Sequence, residues 1–166
     1  MTPIVAILLF LHVLGAIAVF GPTFAFPLIG SMGGKEPMHA NFATRLSLAI
    51  EEKITLPGAI VQLITGLGLI VFVPYNLLST HWLLLAIAVY AVAITFAYFV
   101  QAKSVEHVIE LTNMPPGMVP SEGPGAAPAG PPPHVAAAVK RVQRGGMFLT
   151  AMIVAIVFLM VVKPTF

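Results

Sequence analysis

The chain has 166 residues, 58% of them hydrophobic and 8% charged, with a mean hydropathy of +0.99 and a formal net charge of +2. Soluble domains carry about 25% charged residues, so a water-soluble fold is excluded. Cysteine and aspartate are absent, which removes disulfides, thiolate metal sites, iron–sulfur clusters, cysteine nucleophiles and Asp-based triads.

Residues 1–34 and 54–102 contain no Asp, Glu, Lys or Arg. A helix needs roughly 20 apolar residues to cross the hydrocarbon core and satisfies its own backbone hydrogen bonds there. The first such segment runs from about Pro3 to Ile29. It lacks a basic n-region and is longer than an ordinary signal-peptide core, so it is expected to stay in the mature protein.

Residues 36–53 mix Glu36, Arg45, Glu51, Glu52 and Lys53 with apolar neighbours. Leu46, Ile50 and Ile54 recur at helical spacing, which predicts an interfacial helix or an extension of the second span. That span runs from about Ile54 to Val73, and Pro57 should kink or start its membrane part.

The connection Pro74–His81 has no Lys or Arg, and the third span runs from about Trp82 to Gln101. It is expected to continue as helix through Lys103, Glu106, His107 and Glu110, and to stop at Asn113 before Met114–Pro115–Pro116–Gly117. Residues 114–133 are dominated by Pro, Gly and Ala and read as a linker or draped loop. Pro131–Pro132–Pro133 then leads into a helix N-terminus at His134, and the fourth span runs from about Gly146 to Val162.

The fold class is therefore all-α: a single integral membrane domain, 1–166, built as an antiparallel four-helix transmembrane bundle. Seven of the eight basic residues, Lys35, Arg45, Lys53, Lys103, Lys140, Arg141 and Arg144, fall on one side of it; only Lys163 falls on the other. The positive-inside rule assigns the basic side to the cytoplasm and both termini to the outer side of a bacterial cytoplasmic membrane. Tyr75 and Trp82 suit the aromatic belt at the outer boundary.

His12 is the one imidazole deep in a span, about 13 Å in from Pro3 at 1.5 Å per residue. Ionisable residues at that depth are functional candidates. Gly15 and Ala16 follow one turn on and leave a shallow notch that a flat cofactor or another helix could approach. Gln62 enters from the opposite surface to about 12 Å, with Thr65 on its face, and Tyr90 of the third span reaches a similar level. These residues predict a polar cluster of His12, Gln62, Thr65 and Tyr90 beside Gly15. Three readings of His12 stand together: helix glue through polar contacts, an axial ligand of haem b, or a quinone or proton-relay group.

His81 lies near the outer surface and His12 about 13 Å deeper by helical rise, so both could bind one iron only if the span boundaries shift by several residues. His39, His107 and His134 fall in basic-side segments and are expected to be solvated. Met114 and Met118, with Met38–His39, offer soft ligands for copper but no repeated motif. Ser31, Ser47, Ser79, Ser104 and Ser121 have no nucleophile motif, and neither a phosphate loop nor a nucleic-acid surface is present.

Leu11–His12–Val13–Leu14–Gly15–Ala16 resembles the opening span of bacterial four-helix membrane proteins of the copper-resistance D-like group. Leu56–Pro57–Gly58–Ala59, Thr65–Gly66 and Leu159–Met160–Val161–Val162–Lys163–Pro164 extend the likeness. The chain is most similar to one branch, a family of predicted integral membrane proteins of unknown function. The wider group is similar to the HemJ-type protoporphyrinogen oxidases, and this resemblance implies a haem-ligand role for His12. The lysine that those enzymes carry at the third span has no counterpart, since no Lys or Arg lies between Lys53 and Lys103.

The leading expectation is a non-catalytic membrane protein, an accessory subunit of a larger respiratory or photosynthetic electron-transfer complex, in contact with lipid and with other subunits or its own copies. A b-type haem protein using His12 is the alternative, and a small copper-handling or transport protein the third.

Overall fold

In a computed structural model, residues 2–35, 39–73, 76, 79–113 and 132–164 are described. They form four helical rods, with no strand among the described residues. The first rod is α1 (Pro3–Phe20), a 3-10 turn (Gly21–Ala25) and α2 (Phe26–Lys35). The second is α3 (Ala40–Ile50), a π turn (Glu51–Thr55) and α4 (Leu56–Phe72). The third is α5 (His81–Phe96), a π turn (Ala97–Gln101) and α6 (Ala102–Thr112), and the fourth is the single helix α7 (Pro133–Val162). The linker 114–131, with the Met114 and Met118 pair, lies outside the described residues, as do Met38 and Tyr75.

Each rod contains a stretch long and apolar enough to cross a membrane. The second rod, Ala40–Phe72, has 33 residues and so rises about 50 Å, well beyond a hydrocarbon core of about 30 Å. Its excess length is the charged part, before Ile54. Residues 40–53 are thus an extension of the second span rather than a separate interfacial helix. The third and fourth rods overshoot on the same side, through α6 and the first turns of α7.

Prolines mark two of these three irregular turns. Pro22 has no N–H to return to the Ala18 carbonyl, and the chain tightens into the 3-10 turn there. Pro57 likewise cannot donate to Lys53, and just before it the helix widens, so that Leu56 N–H reaches the Glu51 carbonyl. At the far end of α7, Lys163 takes a left-handed conformation (φ 48°) ahead of Pro164, which cannot continue a helix. The Lys163 Nζ lies 5.7 Å from the centre of the Trp82 ring, so the fourth rod ends beside the start of the third.

The rods pack differently at the two levels. In the membrane, α1 packs on α4 and α5 on α7. On the basic side, α2 meets α3, α3 meets α6, α6 meets α7, and α7 returns to α2, closing a ring. Asn41 Nδ2 ties that ring by donating to Thr112 Oγ1 at 3.0 Å. Its buried apolar residues include Val105, Val108 and Val135.

Glycine sets the α1–α4 seam. Val19 lies on Gly58, Gln62 on Gly15, His12 on Gly66 and Leu8 on Gly68, an antiparallel register with a small residue at each crossing. Apolar burial supplies little association energy between helices in lipid, so close backbone approach and polar contacts take over. The first rod illustrates the point: only 6% of its most apolar window is buried in the protein.

Candidate functional site

The seam brings His12, Thr65, Gln62 and Gly15 together. His12 Nδ1 lies 3.0 Å from Thr65 Oγ1. Thr65 has one hydroxyl proton, and its oxygen is 3.0 Å from the Val61 carbonyl and 3.1 Å from that of Gln62. A helical threonine gives that proton back to its own helix. Its oxygen then accepts, and His12 Nδ1–H donates. With the Thr65 proton so placed, the imidazole carries its own proton on Nδ1 and its lone pair on Nε2. The ring lies over Gly66, where a Cβ would come 3.1 Å from His12 Cε1.

Gln62 is 6% exposed. Its Oε1 sits in the hollow at Gly15, 2.6 Å from where a Cβ would stand, and this buried oxygen accepts no hydrogen bond from the described residues. Of the two occupants the notch could admit, a flat cofactor or another helix, it is the second that lies there: Gln62 of α4 fills it. Tyr90 acts elsewhere: its hydroxyl donates to the Ala59 carbonyl, about one turn from Gln62. It links α5 to α4 across the two pairs and makes no hydrogen bond to His12.

Sequence reasoning missed a second link of the same kind. Gln101, 7% exposed, ends the π turn of the third rod and donates through Nε2 to the Val142 carbonyl at 3.1 Å. Its Oε1 lies against Gly145, where any Cβ would overlap it. Phe96 and Phe148 close the same contact edge to face, with ring centres 4.8 Å apart. The signal was available: Gly145–Gly146 falls at the depth of Gln101. Read as a span boundary, the pair concealed its packing role.

Glu51 is the second omission. It opens the other π turn, is 7% exposed, and has neither a hydrogen bond nor an ion pair among the described residues. Thr55, one turn on, also buries its hydroxyl without a partner. His107, expected to be solvated, is exposed with Nδ1 3.8 Å from Glu110 Oε2; His39, His81 and His134 are exposed as well. Among the described residues, no three His, Cys, Asp or Glu side chains gather as metal ligands would.

The arrangement is thus two helix pairs, each with a glutamine lying on a glycine, and with an imidazole bonded to a threonine in the first. A family model described as "Predicted integral membrane protein (DUF2269)" matches residues 6–164. The chain belongs to this family. The match runs through all four rods and supports an integral membrane protein in contact with a lipid bilayer. No curated protein and no solved structure matches the chain.

Proposed function

We propose that this DUF2269 protein is a non-catalytic accessory subunit of a larger membrane complex, such as one that transfers electrons in respiration or photosynthesis. The observation that carries this reading is the outward face of the third rod. Leu83 and Ala86 are buried against the bundle, whereas Ala88, Ala91 and Thr95 are exposed, in line at helical spacing on the opposite side. A helix meeting only lipid gains nothing from small residues on its outer face. A neighbouring helix does gain, because small residues let backbones approach and a threonine hydroxyl can bond across. The partner is therefore a transmembrane helix of another subunit or of a second copy.

In the same proposal the basic side is the cytoplasmic side of a bacterial inner membrane, with both termini outside. The wider kinship to the copper-resistance D-like and HemJ-type proteins also belongs here, together with its haem reading of His12. The imidazole suits a ligand, since Thr65 holds Nδ1–H and leaves the Nε2 lone pair available. Its surroundings do not suit a macrocycle within the seam: Gln62 fills the Gly15 hollow, and Gly66 lies directly beneath the ring. Helix fastening is the role that these contacts support for His12.

Extraction into native-lipid particles tests the proposal. The expected result is a stoichiometric membrane partner, or a second copy, that is lost in Ala91→Leu and retained in Ile64→Leu on the lipid face of α4. A monomeric, partner-free particle would overturn it. Oxidised and reduced visible spectra of the same particles test the haem reading: a Soret band abolished by His12→Ala would reinstate it.

A further inference from the structure

The third and fourth rods leave two adjoining cavities between them on the basic side, of about 300 Å3 and about 470 Å3. Val100, Ser104 and Arg141 line both. Lys103 and His107 are among the further residues lining the first, and Arg144 and Phe148 among those lining the second. We propose that this cleft binds the phosphate headgroup of an anionic phospholipid from the leaflet on the basic side, with an acyl chain laid along Phe99 and Val100.

Charge carries the first half of the argument. No carboxylate among the described residues pairs with Lys103, Arg141 or Arg144. Glu106 and Glu110 belong to the same helix as Lys103 but line neither cavity. Three cations thus line a concave site in which, among the described residues, the nearest carboxylate contact is that of Glu110 with His107 at 3.8 Å. Two are arginines, whose planar fork matches two phosphate oxygens at once. The Ser104 hydroxyl is committed to the Val100 carbonyl at 2.7 Å, so its oxygen adds no negative charge.

Position and wall chemistry carry the second half, and they favour a lipid over a free anion. The cleft lies where the uncharged runs of the third and fourth rods give way to Lys103 and Arg144, the level at which basic side chains meet lipid headgroups. Phe99 is 58% exposed and Val100 37%, both on the membrane side of the cations. A small anion has no use for these apolar side chains, whereas a phospholipid joins a phosphate to an acyl chain in that order. Basic pockets between transmembrane helices hold anionic headgroups by this division of labour.

The test uses the full-length protein in nanodiscs of mixed phosphatidylglycerol and phosphatidylcholine, then washed in mild detergent, with retained lipid counted by mass spectrometry. The protein should retain phosphatidylglycerol over phosphatidylcholine. Arg141→Ala and Arg144→Ala should each lower that retention about fivefold, the loss of one cation near the surface. Lys140→Ala, which removes the same charge one residue away and off the cleft, should leave it unchanged. Arg144→Ala decides the matter if Arg141→Ala yields no folded protein. Equal losses in Lys140→Ala would overturn the site in favour of a diffuse surface field. Displacement of the retained lipid by millimolar inorganic phosphate would overturn the lipid assignment in favour of a simple anion site.

Discussion

Gln62 of α4 fills the hollow that Gly15 leaves on α1, its Oε1 2.6 Å from the place a Cβ would occupy. The contact is one of shape: the side chain occupies the room left by the missing Cβ, while its buried Oε1 accepts no hydrogen bond from the described residues. Gln101 lies likewise on Gly145 in the other pair, and there its Nε2 also donates across to the Val142 carbonyl.

Gly15→Leu should therefore part the first pair. Forcing extra carbons into a packed contact costs about 1–3 kcal/mol, and thermal unfolding in detergent should show the loss. Gly21→Leu is the comparison, because nothing lies within 4 Å of its missing Cβ. Equal effects from the two substitutions would contradict the seam geometry.

Thr65→Val keeps the shape of the side chain and removes the oxygen that accepts from His12. The expected loss is about 0.6 kcal/mol, typical of a polar contact between helices in lipid. The sharper readout is nitrogen NMR of the His12 ring, where Nδ1 should lose its hydrogen-bonded signature. Thr65→Ser should keep that signature. If the ring signals are the same in wild type and Thr65→Val, the proposed tautomer lock does not exist.

Glu51→Gln should stabilise the protein. A buried carboxyl group without a cation carries an uncompensated desolvation cost, which the neutral isostere removes. The thermal midpoint of Glu51→Gln should exceed that of the wild type. A lower midpoint would mean that Glu51 makes a favourable contact beyond the described residues.

Orientation can be read with single cysteines, since the native chain has none. In intact cells a membrane-impermeant thiol reagent should label Ser79→Cys, in the connection opposite the basic side. Glu106→Cys, on exposed α6, should be labelled only after lysis. The reverse pattern would invert the proposed topology.

Much of the fold was legible from charge alone. Runs without Lys, Arg, Asp or Glu can lie in lipid only as helices, and Lys35, Arg45, Lys53, Lys103 and Lys140 mark where those runs emerge. The helical extension through Lys103 to Glu110 and the start of the fourth rod at Pro133 follow from residue pattern and proline chemistry. The irregular turns were half legible. Pro57 announced a disturbance but not its form, and no proline marks the π turn at Ala97–Gln101. The site was legible as a set of depths: His12, Gln62 and Thr65 were expected at one level, where His12 lies beside Thr65 and the Gln62 side chain lies on Gly15. Tyr90 shares that level yet turns to the Ala59 carbonyl, because depth fixes only one of the coordinates that a contact requires.

What the sequence by itself determined is the solvent of this protein, its four crossings, its basic side and the positions of its few polar residues along the membrane normal. These are one-dimensional properties, and hydropathy and charge act along that axis. The tertiary structure alone decided the pairing of α1 with α4 and of α5 with α7, the filling of the Gly15 hollow by Gln62, the link from Gln101 to the fourth rod, and the convergence of Lys103, Arg141 and Arg144 on one cleft. Each depends on rotation about a helix axis and on which rods are neighbours. Apolar faces in lipid specify neither, so the choice falls to glycine contacts and single hydrogen bonds whose partners lie far apart in the chain.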